Sequence, residues 1–462
     1  MSTVPPKVIR MYASRETIYP REAQGRFSKW RWVCLWLTQL VFYGTPWLRW
    51  NGRQAVLFDL LSRKFYIFGV VLWPQDFIYL AALLIICAYS LFLVTAVWGR
   101  VWCGFACPQT VYTEVFLWIE RKIEGARSAR MALDRQPLSP NKFARKFAKH
   151  AAWGGVALWT GFTFVGYFTP ILTLGHEVAG GLLGAWETFW VLFYAFATYG
   201  NAGWMREQVC KYMCPYARFQ SAMFDRDTLI ITYDADRGEP RGALHKAAQG
   251  KAQGDCIDCS MCVQVCPTGI DIRKGLQYEC IGCTACIDAC NGVMDKVGKA
   301  HGLIRYSTDR GLAEHLSTAA IMKRAFRPRV LIYSAILWLI IMAVGTSLLM
   351  RTPLKLDVIR DRGSMGREVE DGKIENVYRL QIMNTSEQAR SYHLSVAGLP
   401  SVSLATSDEI RVAATETLAV PVRVRVDHGQ GKTGSNKIHF KLVASDDAAV
   451  HVDESAVFFV PR

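Results

Sequence analysis

Eight of the chain's fourteen cysteines fall within residues 256–290, and their spacing constrains the fold more than any other feature. The first run is Cys256-x2-Cys259-x2-Cys262-x3-Cys266-Pro267 and the second is Cys280-x2-Cys283-x2-Cys286-x3-Cys290. In a two-cluster ferredoxin the fourth cysteine of each run serves the other cluster. The spacing therefore implies two 4Fe–4S clusters. One would take Cys256, Cys259, Cys262 and Cys290, the other Cys280, Cys283, Cys286 and Cys266. Two-residue gaps let a tight turn aim three sulfurs inward while backbone amides face the inorganic core. Zinc would use paired C-x2-C units and leave four cysteines without a role. Disulfides would suit a secreted scaffold, which the surrounding charge pattern argues against. Asn291 stands where a second proline would close the run, which removes a turn constraint but no ligand.

The chain around this run is that of a membrane protein. Half of its 462 residues are hydrophobic and 15 are tryptophan. Apolar stretches mark five spans: Trp32–Leu48, Phe77–Trp98, Ala151–Leu174, Gly180–Ala202 and Val330–Met350. The second, at 22 residues, reaches about 33 Å as a helix. The first is short, with tryptophans suited to the membrane interface. Residues 65–73 are too short to cross and read as interfacial or re-entrant. No small-residue cleavage site follows the first apolar run, so a removable signal peptide is not expected. Cys34 and Cys87 lie inside apolar runs and read as buried thiols.

Charge gives the orientation. The net charge of +15 sits in three segments: residues 1–31, 99–150 and 203–329 carry excesses of +5, +6 and +4. The opposite-side segments are close to neutral. Basic loops stay cytoplasmic, so five spans put these three segments inside and residues 351–462 outside. The basicity then reports topology, and nucleic-acid binding is not expected. The expected domains are a cytoplasmic segment (1–31), helices 1–4 with loop 99–150 (32–202), a cytoplasmic ferredoxin-type domain (203–329), a fifth helix (330–350) and a periplasmic tail (351–462). Residues 234–254 read as a linker and 303–329 as a basic connector. In the tail, apolar residues alternate at Tyr378, Leu380, Ile382, at Tyr392, Leu394, Val396 and from Val420 to Val426. Short alternating strands separated by turn residues predict an all-β sandwich of immunoglobulin type.

A second motif is duplicated. Cys103-Gly104-Phe105-Ala106-Cys107-Pro108 follows the second span, and Cys210-Lys211-Tyr212-Met213-Cys214-Pro215 follows the fourth. Each precedes a helical pattern. Four residues along one helix would place both thiols of a pair on one face. Proline at a first helical turn makes Cys107 and Cys214 N-cap candidates, where the helix dipole lowers a thiol's pKa. If the repeats face each other, four soft ligands suit Cu(I), another thiophilic metal, or a dithiol–disulfide couple. Alternatively, the pairs are structural thiols capping helices.

Other signals are weaker. Glu187 lies within the fourth span, where a charge costs about 2.5–3.5 kcal/mol on insertion scales. His176 and Glu177 sit in the outer turn and are two ligands at most. No H-x-x-H, H-E-x-x-H, G-x-G-x-x-G or Walker pattern is present, so no nucleotide or flavin site is expected.

Several further stretches complete a pattern: Trp73-Pro74-Gln75-Asp76-Phe77, Gly166-Tyr167-Phe168-Thr169-Pro170, Cys214-Pro215-Tyr216-Ala217-Arg218 and Arg237-Gly238-Glu239-Pro240-Arg241-Gly242. With these residues, the two cysteine motifs and the β tail, nearly the whole chain resembles the CcoG/FixG/RdxA family. These are polyferredoxin-like accessory proteins of cytochrome c oxidase assembly. The resemblance implies a multi-pass protein of the bacterial inner membrane serving the cbb-type oxidase and its assembly factors. It also implies a cupric reductase that converts Cu(II) to Cu(I), with copper bound at Cys103, Cys107, Cys210 and Cys214 and electrons from a cytoplasmic donor that the sequence does not name. Two rival readings remain: an electron-transfer subunit serving a quinone or another membrane redox partner, and a non-catalytic assembly scaffold docking through its tail.

Overall fold

The computed structural model describes residues 17–243, 253–361, 363, 366–369 and 372–461. Residues 1–16 of the expected N-terminal segment and 244–252 of the expected linker lie outside the described residues. The chain forms two compact units, Met1–Leu48 with Leu83–Ile340, and Arg49–Ala82 with Ile341–Arg462.

The first unit is mainly helical. Its helices are α1 (Arg26–Gly44), the greater part of α2 (Phe77–Trp98), α3 (Val101–Phe105), α4 (Pro108–Glu124), α5 (Arg127–Arg135), α6 (Pro140–Val165), α7 (Ile171–Gly180), α8 (Ala185–Thr198) and α9 (Pro215–Met223). After them come α10 (Ala235–Gly238), α11 (Met261–Gln264), α12 (Ala285–Val297), α13 (Asp309–Ala313), α14 (Thr318–Arg324) and most of α15 (Pro328–Leu349). Helix α8 passes directly into a π-helical segment, Tyr199–Met205. Both unit boundaries between helix and tail fall within α2 and α15, the two long apolar helices.

The expected five-helix bundle is not what forms. Among the described residues two helices are long and apolar enough to cross a membrane, α2 with the turn before it and α15. A third crossing arises only if α7 and the α8–Met205 segment, which meet at 99°, count as one broken span. The reasons are local. Helix α1 starts at Arg26 and so carries Arg26, Lys29 and Arg31 in its first turns. Helix α6 starts at Pro140, capped by the Ser139 hydroxyl, and its first half holds Lys142, Arg145, Lys146 and Lys149. The expected third span breaks at Gly166–Pro170, because proline cannot continue a helix whose carbonyls need donors. The apolar half of α6 instead forms a hairpin with α8. Gly161 makes the close approach possible, since a Cβ there would lie 2.2 Å from the Val191 carbonyl oxygen.

Other expectations also change. Cys87 is exposed on α2 and Cys34 is partly exposed, so neither is the buried thiol expected. Residues 65–73 are not re-entrant. They supply Lys64–Ile67 and Val70–Leu72 to a three-stranded antiparallel sheet with Val56–Asp59. The basic connector is ordered: Ile304–Ser307 pairs antiparallel with Ile230–Tyr233 and closes the cysteine-rich region at its base.

The second unit contains the tail. Its strands are β1 (Leu354–Arg360), β2 (Arg367–Val369), β3 (Lys373–Asn384), β4 (Arg390–Ala397), β5 (Ser403–Leu404), β6 (Glu409–Val412), β7 (Thr417–Asp427), β8 (Gly434–Ala444) and β9 (His451–Val460). One sheet runs β5-β7-β3-β1 with β2 also on β3, and the other runs β6-β4-β8-β9. The neighbouring strands pair antiparallel, and Tyr378 on β3 stands opposite Val422 on β7. Period-two alternation sends Tyr378, Leu380, Ile382, Val422, Val424 and Val426 inward from one sheet, to meet Tyr392, Leu394, Ile438, Phe440 and Leu442 from the other. The sandwich follows from this pattern, because each sheet can bury its apolar face only against the other. Tyr378 and Phe440 meet edge to face at 5.1 Å, and Phe440 is fully buried. Phe440→Ala is expected to cost the tail about 3–5 kcal/mol, which limited proteolysis of the full chain will report as faster cleavage within residues 354–460.

A cysteine-rich candidate redox centre

Two short backbone devices shape the eight-cysteine region, and they repeat. Asp258 and Gly282 each precede the second cysteine of a run and hold φ of 51° and 67°. Ser260 and Thr284 each follow that cysteine, with φ of 55° and 62°. These left-handed residues lead straight into α11 and α12. Alternating handedness points successive N–H groups into a concavity that favours an anionic group. Spacing alone does not make a cradle; the paired left-handed positions do.

The thiols line two adjoining cavities. Cys256, Cys259, Cys262 and Cys290 line one, beside Tyr233, Met294 and Leu303. Cys266, Cys280, Cys283 and Cys286 line the other, and Cys262 reaches it as well. Burial pushes Cys262 up to about 11. Burial also pushes Cys280 and Cys290 up to about 12, and the neighbouring thiols act in the same direction. Without a cationic partner these groups are neutral. A cationic iron core would convert them to thiolates, so the donor set fits two iron–sulfur clusters. Among the described residues no three His, Cys, Asp or Glu side chains close on one point as ligands of a single ion would. A cubane differs in that its thiolates surround a multi-atom core.

The N-terminal helix docks on this region. The Asp288 carboxylate, midway along the helix between Cys286 and Cys290, accepts from the backbone N–H groups of Phe27 (3.2 Å) and Ser28 (2.6 Å). It thereby satisfies donors at the start of α1 that have no partner within the helix.

The two C-x3-C-P motifs converge on the same region. Cys107 is the N-cap of α4 and Cys214 the N-cap of α9, each followed by proline at the first helical position. The other expectations for the pairs are corrected. Cys103 lies on α3, which ends before Cys107, so that pair does not share one helix face. Cys210 lies in a separate π-helical turn, Val209–Met213. Nor does the helix terminus lower the Cys107 pKa. Burial raises it and outweighs the N–H groups of Thr110 and Gln109. Burial pushes Cys103 up to about 11 and Cys210 up to about 12. The charge of Cys107 and of Cys214 adds to the rise at both, which places the two repeats face to face. The Cys103 thiol lies 3.5 Å from Gln220 Oε1 on α9.

Contacts tie this quartet to the ferredoxin region. Cys103 and Cys210 pack against the buried group of Val265, Ile281, Cys283 and Ala285. Gly104 lies against the second run's backbone, where an added Cβ would stand 2.6 Å from the Gly282 carbonyl oxygen. The Arg100 guanidinium is buried and donates to the carbonyls of Tyr278, Cys280 and Ala217. The weaker candidates gain nothing. Glu187 is in the first turn of α8, and His176 is an exposed residue of α7 with no third ligand.

Comparison with known proteins agrees with this organisation. FixG of Rhizobium meliloti (strain 1021), described as a nitrogen fixation protein, is 39% identical over 95% of this chain and 91% of its own. The chain belongs to the FixG/RdxA/RdxB family. RdxB and RdxA of Cereibacter sphaeroides are 38% and 40% identical, over 96% and 91% of this chain and the same shares of theirs. A 4Fe–4S dicluster domain model matches residues 205–309, a 4Fe–4S binding domain model residues 80–125, and the immunoglobulin-like fold at the C-terminus of FixG residues 344–461. The crystal structure of a FixG-related protein from Vibrio parahaemolyticus is 27% identical over 24% of this chain and 98% of its own, at a TM-score of 0.22. This family member is a membrane-associated iron–sulfur redox protein with two 4Fe–4S-binding domains and a β-rich C-terminal domain.

Sequence reasoning missed Arg100, Gly104, Gly282 and Asp288, because none carries redox chemistry. The signal available was a glycine inside each motif. Gly104→Ala is expected to push two backbones apart at a cost of about 1–3 kcal/mol and to reduce iron content, measured as iron per chain after anaerobic purification. The cluster-free chain should also lose stability as pH rises from about 9 towards about 12. Ordinary thiols ionise near 9, whereas the folded Cys280 and Cys290 hold their protons to about 12, so the unfolded state is the first to release protons in that window. Melting of the apo-protein at pH 8 and pH 10 checks this, the lower transition being expected at pH 10.

Proposed function

We propose that this protein reduces Cu(II) to Cu(I) at the quartet Cys103, Cys107, Cys210 and Cys214, in support of cbb-type cytochrome oxidase assembly. The observation that carries the proposal is the contact between the quartet and the cysteine-rich region, above all Gly104 against Gly282. Cys256, Cys259, Cys262 and Cys290 would hold one cluster, and Cys266, Cys280, Cys283 and Cys286 the other. The bound clusters supply one-electron carriage. Soft thiolates favour Cu(I) over Cu(II), so these cysteines, drawn together onto the metal, would make bound Cu(II) easier to reduce; in the metal-free chain no three of them converge as ligands of one ion. Cu(II) takes up one electron, and the thiols release protons as the metal replaces them. Arg100 holds the two regions in register, and Asp288 fixes α1 against them.

The charge pattern supports placing residues 99–150 and 203–329 on the cytoplasmic face of a bacterial inner membrane and residues 351–462 on the periplasmic face. The hairpin of α6 and α8 would then enter and leave on one face, which keeps both C-x3-C-P motifs together.

A second reading has a specific observation behind it. The 4Fe–4S binding domain model over residues 80–125 takes in Cys103 and Cys107, which favours a further cluster at the quartet instead of copper. Replacing all four cysteines by serine separates the two. Copper reduction should fall to background with the iron content unchanged, as measured by Cu(I) chelator absorbance and metal counting. A matching loss of iron for one cluster would establish the second reading, and wild-type copper reduction with unchanged iron would remove the quartet from both.

A further inference from the structure

Away from the thiols, the first unit has an open cavity of about 450 Å³ where α4, α6 and the segment leading to Cys210 meet. No residue of the copper reading lines it. Its aromatic wall is ordered. His150 stacks on Trp204 at 6.2 Å and 25° and meets Trp153 edge-on at 5.2 Å. His150 Nδ1 lies 2.8 Å from the Tyr199 hydroxyl. Trp153 is buried and fixed by donating to the Phe116 carbonyl (3.1 Å), whereas Trp204 is half exposed. Tyr199–Met205 is π-helical, a departure that frequently marks functional sites.

Charge decides what fits. The lining includes three acids, Glu120, Asp134 and Glu207, and three bases, Lys146, Lys149 and Arg206. The bases are already committed to carboxylates: Arg206 to Glu120 (3.1 Å), Lys149 to Glu124 (3.0 Å) and Lys146 to Asp134 (2.6 Å). A nucleotide cofactor brings phosphates that need unspent positive charge, and here the charges balance. A flat, uncharged ring with polar edge atoms meets aromatic faces and hydrogen-bonding groups together. Burial and Lys149 hold the His150 pKa below its ordinary value, so this imidazole is neutral and can donate or accept.

A hydrogen-bonded link joins the cavity wall to the thiols. Gln109, two residues after Cys107, donates through Nε2 to the carbonyls of Asn201 (2.9 Å) and Arg206 (3.0 Å). Thus the α4 terminus that carries Cys107 is tied to the π segment that forms the cavity wall and runs on to Cys210.

We propose that this cavity binds the headgroup of a quinone, the ring held against the exposed Trp204 and its oxygens facing His150 and the neighbouring polar groups. This is independent of whether the quartet takes copper. The test uses the detergent-solubilised full chain and an azido-ubiquinone photolabel, with decylubiquinone as competitor. Label is expected within residues 146–153 and 199–207 and should be displaced by decylubiquinone but not by FMN or NADH. Trp204→Ala should weaken decylubiquinone binding about tenfold, and Trp204→Phe should recover most of it, both variants retaining wild-type melting. Label confined to other peptides, displacement by FMN or NADH in place of the quinone, or wild-type affinity in Trp204→Ala would each overturn the proposal. Should Trp204→Ala not fold, the wild-type label map and the Trp204→Phe affinity decide it. Copper reduction driven by dithionite bypasses the cavity, so its failure bears on the quartet alone.

Discussion

The close approach of Gly104 to the Gly282–Cys283 backbone is the constraint on which the redox half of this protein depends. Two glycines from motifs 178 residues apart give up their side chains at one point. Gly282 does so at a positive φ that also turns the chain between Cys280 and Cys283. One residue thus serves both the internal shape of the cysteine run and its contact with the C-x3-C-P motif. Arg100 reinforces the joint. Its guanidinium is buried without a carboxylate and is satisfied by carbonyls from both partners, which a shorter or neutral side chain could not reach together.

The thiols are high-energy groups until something cationic joins them. Burial raises Cys262, Cys280, Cys283, Cys286 and Cys290 in the eight-cysteine run and Cys103, Cys107 and Cys210 in the quartet, with neighbouring thiols acting in the same direction. Packing alone would favour separating them. That they converge implies that a metal centre compensates, and it makes folding of this region and metal loading one coupled process. The sandwich has no such dependence. Its core is a continuous apolar layer without cysteine, so it can be stable while the other region awaits iron.

How much was legible in the sequence follows the range of the interactions. The two cysteine runs were read because ligand spacing is local, and the tail was read because alternation is local: Tyr378, Leu380 and Ile382 needed only a period of two. Helix α2 was read residue for residue because its 22 residues carry no charge. The fifth span was read to within two residues as α15, whereas the first, third and fourth were misread where a basic first half or Pro170 divides an apolar stretch, so that composition exceeds what one straight helix can use. The pairing within Cys103-x3-Cys107 failed for a different reason. Proline fixes where α4 starts and forces Cys107 outside α3, and that local rule overrides the helical period. The buried ion network of Glu120, Glu124, Arg130 and Lys149 was invisible because its members come from α4, α5 and α6.

The duplicated motif is not a symmetric one, and the difference gives the halves distinct tasks. In the first repeat the turn before proline is α-helical and its glycine meets the ferredoxin backbone. In the second it is π-helical, with Lys211, Tyr212 and Met213 in place of Gly104, Phe105 and Ala106. Side chains of that size cannot make the glycine contact, so only the first repeat can lie against Gly282. The second is free to follow the π-helical path from Tyr199, which opens the aromatic cavity beside His150. Gln220 on α9 then returns to the Cys103 thiol, closing the quartet across the two halves. A duplicated C-x3-C-P unit thus becomes a junction with one side on the cysteine-rich region and the other on the cavity.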